Sequence, residues 1–165
     1  MKSINEFNIN YLDEIIEKVD LRKYLEEYEN AEAFIENFRF KIESALEGYG
    51  LDENDGILPQ EYENPSITSA NYTDFDTIDD VEVYDDEYFI ITLTMRLDCE
   101  IEFFIFKSDY VIMSEEDCKF SVIDNDWNKH YIAAYENVNL EVEFSIIIDK
   151  SLTDMIQIDV NEIRN

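Results

Sequence analysis

This chain is poor in positive charge. Twelve lysines and arginines stand against 41 aspartates and glutamates, leaving a net charge of −29. So few cations do not assemble a basic patch, and direct binding to nucleic acid or to anionic lipid needs one. Turn formers are scarce as well: 3 glycines and 2 prolines exclude collagen-like, linker-like and glycine-rich phosphate-cradling designs and imply long regular elements. The two cysteines, Cys99 and Cys118, supply neither a disulfide framework nor metal-ligand spacing. Cys99 falls on an apolar strand face and reads as a small buried hydrophobe. The lone histidine, His130, has no nucleophile motif beside it, and neither G-x-S-x-G nor H-E-x-x-H occurs. Apolar runs are short, such as Phe103 to Phe106, and none approaches the ~20 residues of a membrane span. The opening Met1-Lys2-Ser3-Ile4-Asn5-Glu6 has no signal-peptide core, which predicts a reducing, cytoplasmic setting.

What is present is enough apolar material to fold. Hydrophobic residues make up 45% and aromatics 14%, which offsets the ordering entropy that keeps polar chains disordered. A length of 165 residues corresponds to one domain. Residues 1–50 read as helical. Leu12, Ile15, Ile16 and Val19 share one helix face, and Ala31, Phe34, Ile35, Phe38, Ile42, Ala45, Leu46 and Tyr49 form a stronger stripe. Asn30 is the expected N-cap of that stripe and Gly48 or Gly50 its stop. Leu21 to Glu29 reads as a short helix or an extension of its neighbour, and residues 51–66, with Gly56, Pro59 and Pro65 and no apolar period, as a connector.

Residues 67–165 read as sheet. From Phe89 to Ile105 every second residue is apolar for nine positions, against an interleaved set containing Arg96, Asp98, Glu100 and Glu102. Seventeen extended residues reach roughly 56 Å, so a bend or bulge is expected in this strand. A second long strand repeats the pattern, with Leu140, Val142, Phe144, Ile146 and Ile148 on one face and Asn139, Glu141 and Glu143 on the other. One or two short strands are expected over Ile67 to Tyr84, where Val81 and Val83 alternate against Glu82, and others at Tyr110 to Met113, Lys119 to Ile123 and Met155 to Val160. Helices followed by a run of strands predict a single α+β domain, N-terminal helices packed on a twisted antiparallel β-sheet of about five to seven strands.

The charge is uneven. From Ile42 to Met95 there is no lysine or arginine, and 15 of those 54 positions are acidic. Such uncompensated charge destabilises a compact state and exceeds the ~2–8 that solubility needs. Asp52-Glu53-Asn54-Asp55-Gly56 resembles a calcium loop, but with Gly56 at the sixth position Leu51 and Tyr62 fall where carboxylates belong. No catalytic residue, metal or cofactor is expected.

Alternate residues on a strand face repeat every ~6.6 Å, so Asp98, Glu100 and Glu102 form a row, with Glu141 and Glu143 as a second row if the long strands pair. A second acidic patch is Asp74, Asp76, Asp79, Asp80, Asp85, Asp86 and Glu87. Asp124 to Tyr131 reads as a turn in which Trp127 lids the core, with recognition by Trp127, His130 and Tyr131 as the alternative.

The strings Phe103-Phe104-Ile105-Phe106-Lys107-Ser108-Asp109-Tyr110, Asp126-Trp127-Asn128-Lys129-His130-Tyr131 and Leu140-Glu141-Val142-Glu143-Phe144 resemble the β-rich C-terminal region that follows the nuclease domain in some bacterial PIN-domain proteins. The resemblance covers about residues 88–149. The nuclease part has no counterpart here, so the resemblance implies an accessory domain that regulates a nuclease, or a free-standing inhibitor, and carries over no catalytic residue.

The composition predicts a non-enzymatic acidic binding protein that mimics nucleic acid. Its expected partner is a cationic nucleic-acid-handling protein such as a nuclease or defence effector, in a phage or mobile-element counter-defence setting. The alternative is an antitoxin, immunity or regulatory accessory domain that docks by shape and aromatics.

Overall fold

The computed structural model describes residues 20–52, 56–113 and 119–165, apart from the side chains at 28 and 75–77. The expected stripe from Leu12 to Val19, the Asp76 side chain, and Cys118 lie outside the described residues. A helical stretch over 20–26 leads into α1 (Tyr28–Leu46). Then come β1 (Glu63–Val83), β2 (Tyr88–Phe106), α2 (Lys107–Ile112), β3 (Ser121–Asp124), β4 (Tyr131–Asp149) and β5 (Met155–Arg164). The class is α+β with an antiparallel sheet, as the succession of patterns predicts. The sheet order is β1-β2-β4-β3, with β5 also paired to β4, so the two strongly alternating strands lie inside the sheet. Among the described residues no helix is long and apolar enough to cross a membrane.

The chain divides into two compact units. The first comprises the described residues up to Arg39 with Phe75–Met95 and Glu143–Glu162. The second comprises Phe40–Asp74, Arg96–Val142 and Ile163–Asn165. In the first unit, Leu25, Ala31, Phe34, Ile35 and Phe38 are buried, as are Ile91, Leu93 and Met95 of β2 and Phe144, Ile146 and Ile148 of β4. In the second, the buried set includes Ile42, Leu46, Tyr62, Ile67, Leu97, Cys99, Ile101, Phe103, Ile105, Leu140 and Val142. Removing each large apolar side chain from water stabilises the fold by ~1.5–3 kcal/mol, and the alternation exists because only one sheet face can be covered this way.

Both long strands keep a parity of burial along most of their length, odd residues inward on β2 and even ones on β4, with Thr94 and Ala133 buried as well. β1 is less regular. Its buried residues switch from odd to even between Ile67 and Ala70 and return to odd at Val81, the signature of extra residues bulged out against a regular neighbour.

Local signals set most of the ends. Gly48, at φ 79°, stops α1. Its N–H donates to the Ile67 carbonyl at 2.7 Å, and a bridge between Gly50 and Ser66 adds the chain to the outer edge of β1. The connector is therefore shorter than expected, since β1 begins at Glu63. Asn30 is not the N-cap of α1. It lies inside the helix, where its side-chain amide donates to the Tyr24 carbonyl and to Glu27, while the Glu27 carbonyl accepts from the N–H groups of Asn30 and Ala31. Tyr110 to Met113 is also corrected, from a strand to part of α2 and its C-terminal boundary. Four apolar residues in a row carry no period, so sequence pattern does not separate helix from strand there.

Three aspartates serve the turns. Asp85 accepts the N–H groups of Glu87 and Tyr88 at 2.8 and 2.9 Å between β1 and β2. Asp124 accepts that of Asp126 at 2.8 Å after β3. Asp149 accepts the N–H groups of Thr153 and Asp154, both at 2.7 Å, and the hydroxyls of Ser151 and Thr153. Each carboxylate replaces a backbone acceptor in a tight reversal, the ordinary work of Asp in loops.

Candidate binding face

In the second unit, the face of β2 turned away from the core carries Arg96, Asp98, Glu100, Glu102, Phe104 and Phe106 in alternation. The neighbouring strand β4 sets its odd residues on the same face. Asn139 donates to the Asp98 carboxylate at 2.8 Å, and Glu141 lies 3.9 Å from Arg96. That antiparallel register sets Asn137 and Tyr135 toward Glu100 and Glu102. The two acidic rows are therefore offset, and no ladder of facing carboxylates forms.

The predicted residues divide by how their charge is used. Glu141 is taken up by two cations, Arg96 and, at 3.3 Å, Arg164. Glu143, in the first unit, accepts from the Asn161 amide at 3.0 Å. Asp98 is held by Asn139, and Glu100 accepts the Thr68 hydroxyl at 3.2 Å. Glu102 is exposed. Among the described residues no lysine or arginine pairs with Asp98, Glu100 or Glu102. Neutral donors orient a carboxylate without cancelling its charge, so Asp98 and Glu100 keep theirs. The field reaches the core: burial first, and the Asp98 charge second, push the Cys99 thiol up to about 12.

The second predicted patch is largely occupied. Asp79 accepts the Thr94 hydroxyl at 2.7 Å, Asp80 lies 3.8 Å from Arg22, and Asp85 forms its turn. Asp86 and Glu87 are exposed at the tip of that hairpin. Asp74, exposed, belongs to the second unit rather than the first. Among the described residues no three His, Cys, Asp or Glu side chains converge as metal ligands would.

Trp127 requires a correction. It does sit in a turn, where the Asn128 side chain accepts the N–H groups of His130 and Tyr131 at 2.8 and 2.9 Å. It does not lid the core. Its ring stacks on Phe104, centroids 5.4 Å apart, on the outer face, and the residue is 56% exposed. Tyr131 lies 6.5 Å from Phe104 and 4.3 Å from Phe106. An aromatic cluster thus continues the acidic row along β2. Phe104 and Phe106 are the site residues that sequence reading missed. The signal was present: the wet-face parity of Asp98, Glu100 and Glu102 reaches both rings when it is carried to the end of the strand.

No family model, curated protein or solved structure matches the chain.

Proposed function

We propose that this chain is a non-enzymatic acidic binding protein that occupies a cationic groove on a nucleic-acid-handling protein, such as a nuclease or defence effector, in place of its nucleic acid. The observation that carries this reading is the unneutralised row of Asp98, Glu100 and Glu102, two of whose members are oriented by neutral donors. Strand geometry spaces these charges at ~6.6 Å, and a phosphate backbone also presents a regular line of anions. Binding there releases counterions from the partner's lysines and arginines. A counter-defence role for a phage or mobile element fits such an inhibitor.

A second reading is supported by the exposed stack of Trp127 on Phe104: an antitoxin, immunity or accessory protein whose contact is led by shape, with charge assisting. Salt separates the two. Groove occupancy by exposed charges weakens steeply as screening shortens their reach, whereas a shape-led contact changes mainly in association rate.

The test is displacement. A partner captured from the host or target cell is loaded with labelled duplex DNA and titrated with the protein. The wild type is expected to release the duplex. The triple variant Asp98→Asn, Glu100→Gln, Glu102→Gln is expected to need about tenfold more protein, three exposed pairs at ~0.5 kcal/mol each. Partners that bind no nucleic acid, or a triple variant as potent as the wild type, refute the proposal.

A further inference from the structure

The aromatic cluster at the end of the acidic row is open to solvent at Trp127 and Phe106. Phe104 and Glu102 are two residues apart on one strand face, and both line a small hollow of about 60 Å³ with Asn64, Ser66 and Ile123. Ile123 is 51% exposed because β3 slips register against β4 between Val122 and Asp124. The nearby cation Lys107 is engaged by Asp126 at 3.2 Å. A carboxylate and hydrogen-bonding groups thus border a hollow that Phe104 also lines, and Trp127 stacks on that ring.

From this arrangement we infer that the outer face of the second unit recognises an extended arginine-bearing segment of a partner protein, one guanidinium lying against the Trp127–Phe104 rings and ion-paired with Glu102. The inference rests on the proposed function and specifies which part of the cationic partner is engaged. Charge complementarity commits the face to a basic occupant. The rings favour arginine over lysine, since the planar guanidinium stacks on an aromatic face and forks toward a carboxylate while the compact ammonium stays hydrated. The spacing commits it to an extended segment. Glu102, Glu100 and Asp98 repeat at ~6.6 Å, the repeat of alternate residues in an extended chain, so cations at every second position of the occupant meet successive carboxylates.

The chain's single tryptophan is Trp127, so its emission reports on this face alone. The probes are three fluorescein-labelled peptides in a threonine background: arginine at three alternate positions, lysine at the same positions, and three consecutive arginines. Anisotropy gives affinity for every variant. An unlabelled copy of each peptide gives the tryptophan response.

The alternate-arginine peptide is expected to bind about two- to fivefold tighter than the lysine peptide, to outbind the consecutive-arginine peptide, and to shift Trp127 emission. Trp127→Ala is expected to remove the arginine preference, Trp127→Phe to restore it in part, and Glu102→Gln to weaken all three peptides. Glu32→Gln, on the exposed side of α1, is expected to change nothing. Equal affinity for arginine and lysine peptides with unchanged emission overturns the inference, as does a preference that survives Trp127→Ala. The two failures are distinguishable. If the peptides show no arginine preference or one that survives Trp127→Ala, while the acidic triple variant needs about tenfold more protein than the wild type to displace DNA, the arginine site falls and the proposed function stands. If the triple variant displaces DNA as well as the wild type, the proposed function falls, whatever the peptides do.

Discussion

Tyr62 tests whether the stretch before β1 is linker or core. It is 2% exposed, its ring lies parallel to Phe103 with centroids 3.7 Å apart, and Phe120 meets both rings edge-on at 5.9 and 5.7 Å. Its hydroxyl donates to the Glu136 carboxylate at 2.8 Å. Two substitutions separate ring from hydroxyl. Tyr62→Phe deletes only the donor, and Glu136 is half-buried, with water in reach to replace it. The cost is about 1.5 kcal/mol, the low end for a hydrogen bond to a charged group. Tyr62→Ala removes a buried ring, about 3–5 kcal/mol with the cavity it leaves, and about 1 kcal/mol of aromatic pairing with Phe103. The expected total is about 4–6 kcal/mol, a large share of the stability of any domain this size. Urea unfolding followed by far-UV circular dichroism reads both values. An alanine variant that loses less than about 2 kcal/mol, or a phenylalanine variant as unstable as alanine, refutes the claim that this ring is core.

Two further predictions concern protonation. The Cys99 thiol, pushed up to about 12, stays protonated at pH 8, so thiol reagents are expected to leave it unmodified until the protein unfolds; peptide mapping after a timed pulse of iodoacetamide, with and without urea, checks this. The Ser151 hydroxyl, and after it the backbone N–H groups of Asp154 and Thr153, hold the Asp149 carboxyl well below the usual carboxylate range. A depressed folded value means that its stabilisation is complete above the ordinary ~3.9 and is lost as pH falls from there through the folded value. Asp149→Ala is therefore expected to be less stable at neutral pH and to lose less on acidification, and a carbonyl NMR titration of the wild type is expected to find this group still ionised at pH ~3. Titration of Asp149 near 4 contradicts the turn geometry.

The long strands were legible because each has one dry face and one wet face, and neither slips a residue. Parity is then visible in the letters themselves, from Phe89 to Ile105 and from Leu140 to Ile148. β1 was harder to read, because its bulges switch the buried set between Ile67, Ala70 and Val81, and no local signal marks where. The candidate face was half legible. Asp98, Glu100 and Glu102 share a face by counting alone. That Asn139 meets Asp98, while Arg96 and Arg164 close on Glu141, follows from pairing between strands distant in sequence. Trp127 was misplaced for the same reason: its partner, Phe104, is chosen by the fold, not by its neighbours.

β5 has one sheet neighbour, β4, among the described residues, so among them it is an edge strand. Such a margin is a template on which a second copy can zip, and Ile156, 51% exposed, gives it some grease. Mutual repulsion between molecules of charge −29 holds copies apart in dilute buffer. Concentrated salt shortens that repulsion to a few ångströms, and acid removes it. Either condition leaves the margin unguarded, so fibrillar self-assembly is the hazard built into this sheet, and its anionic coat is the safeguard.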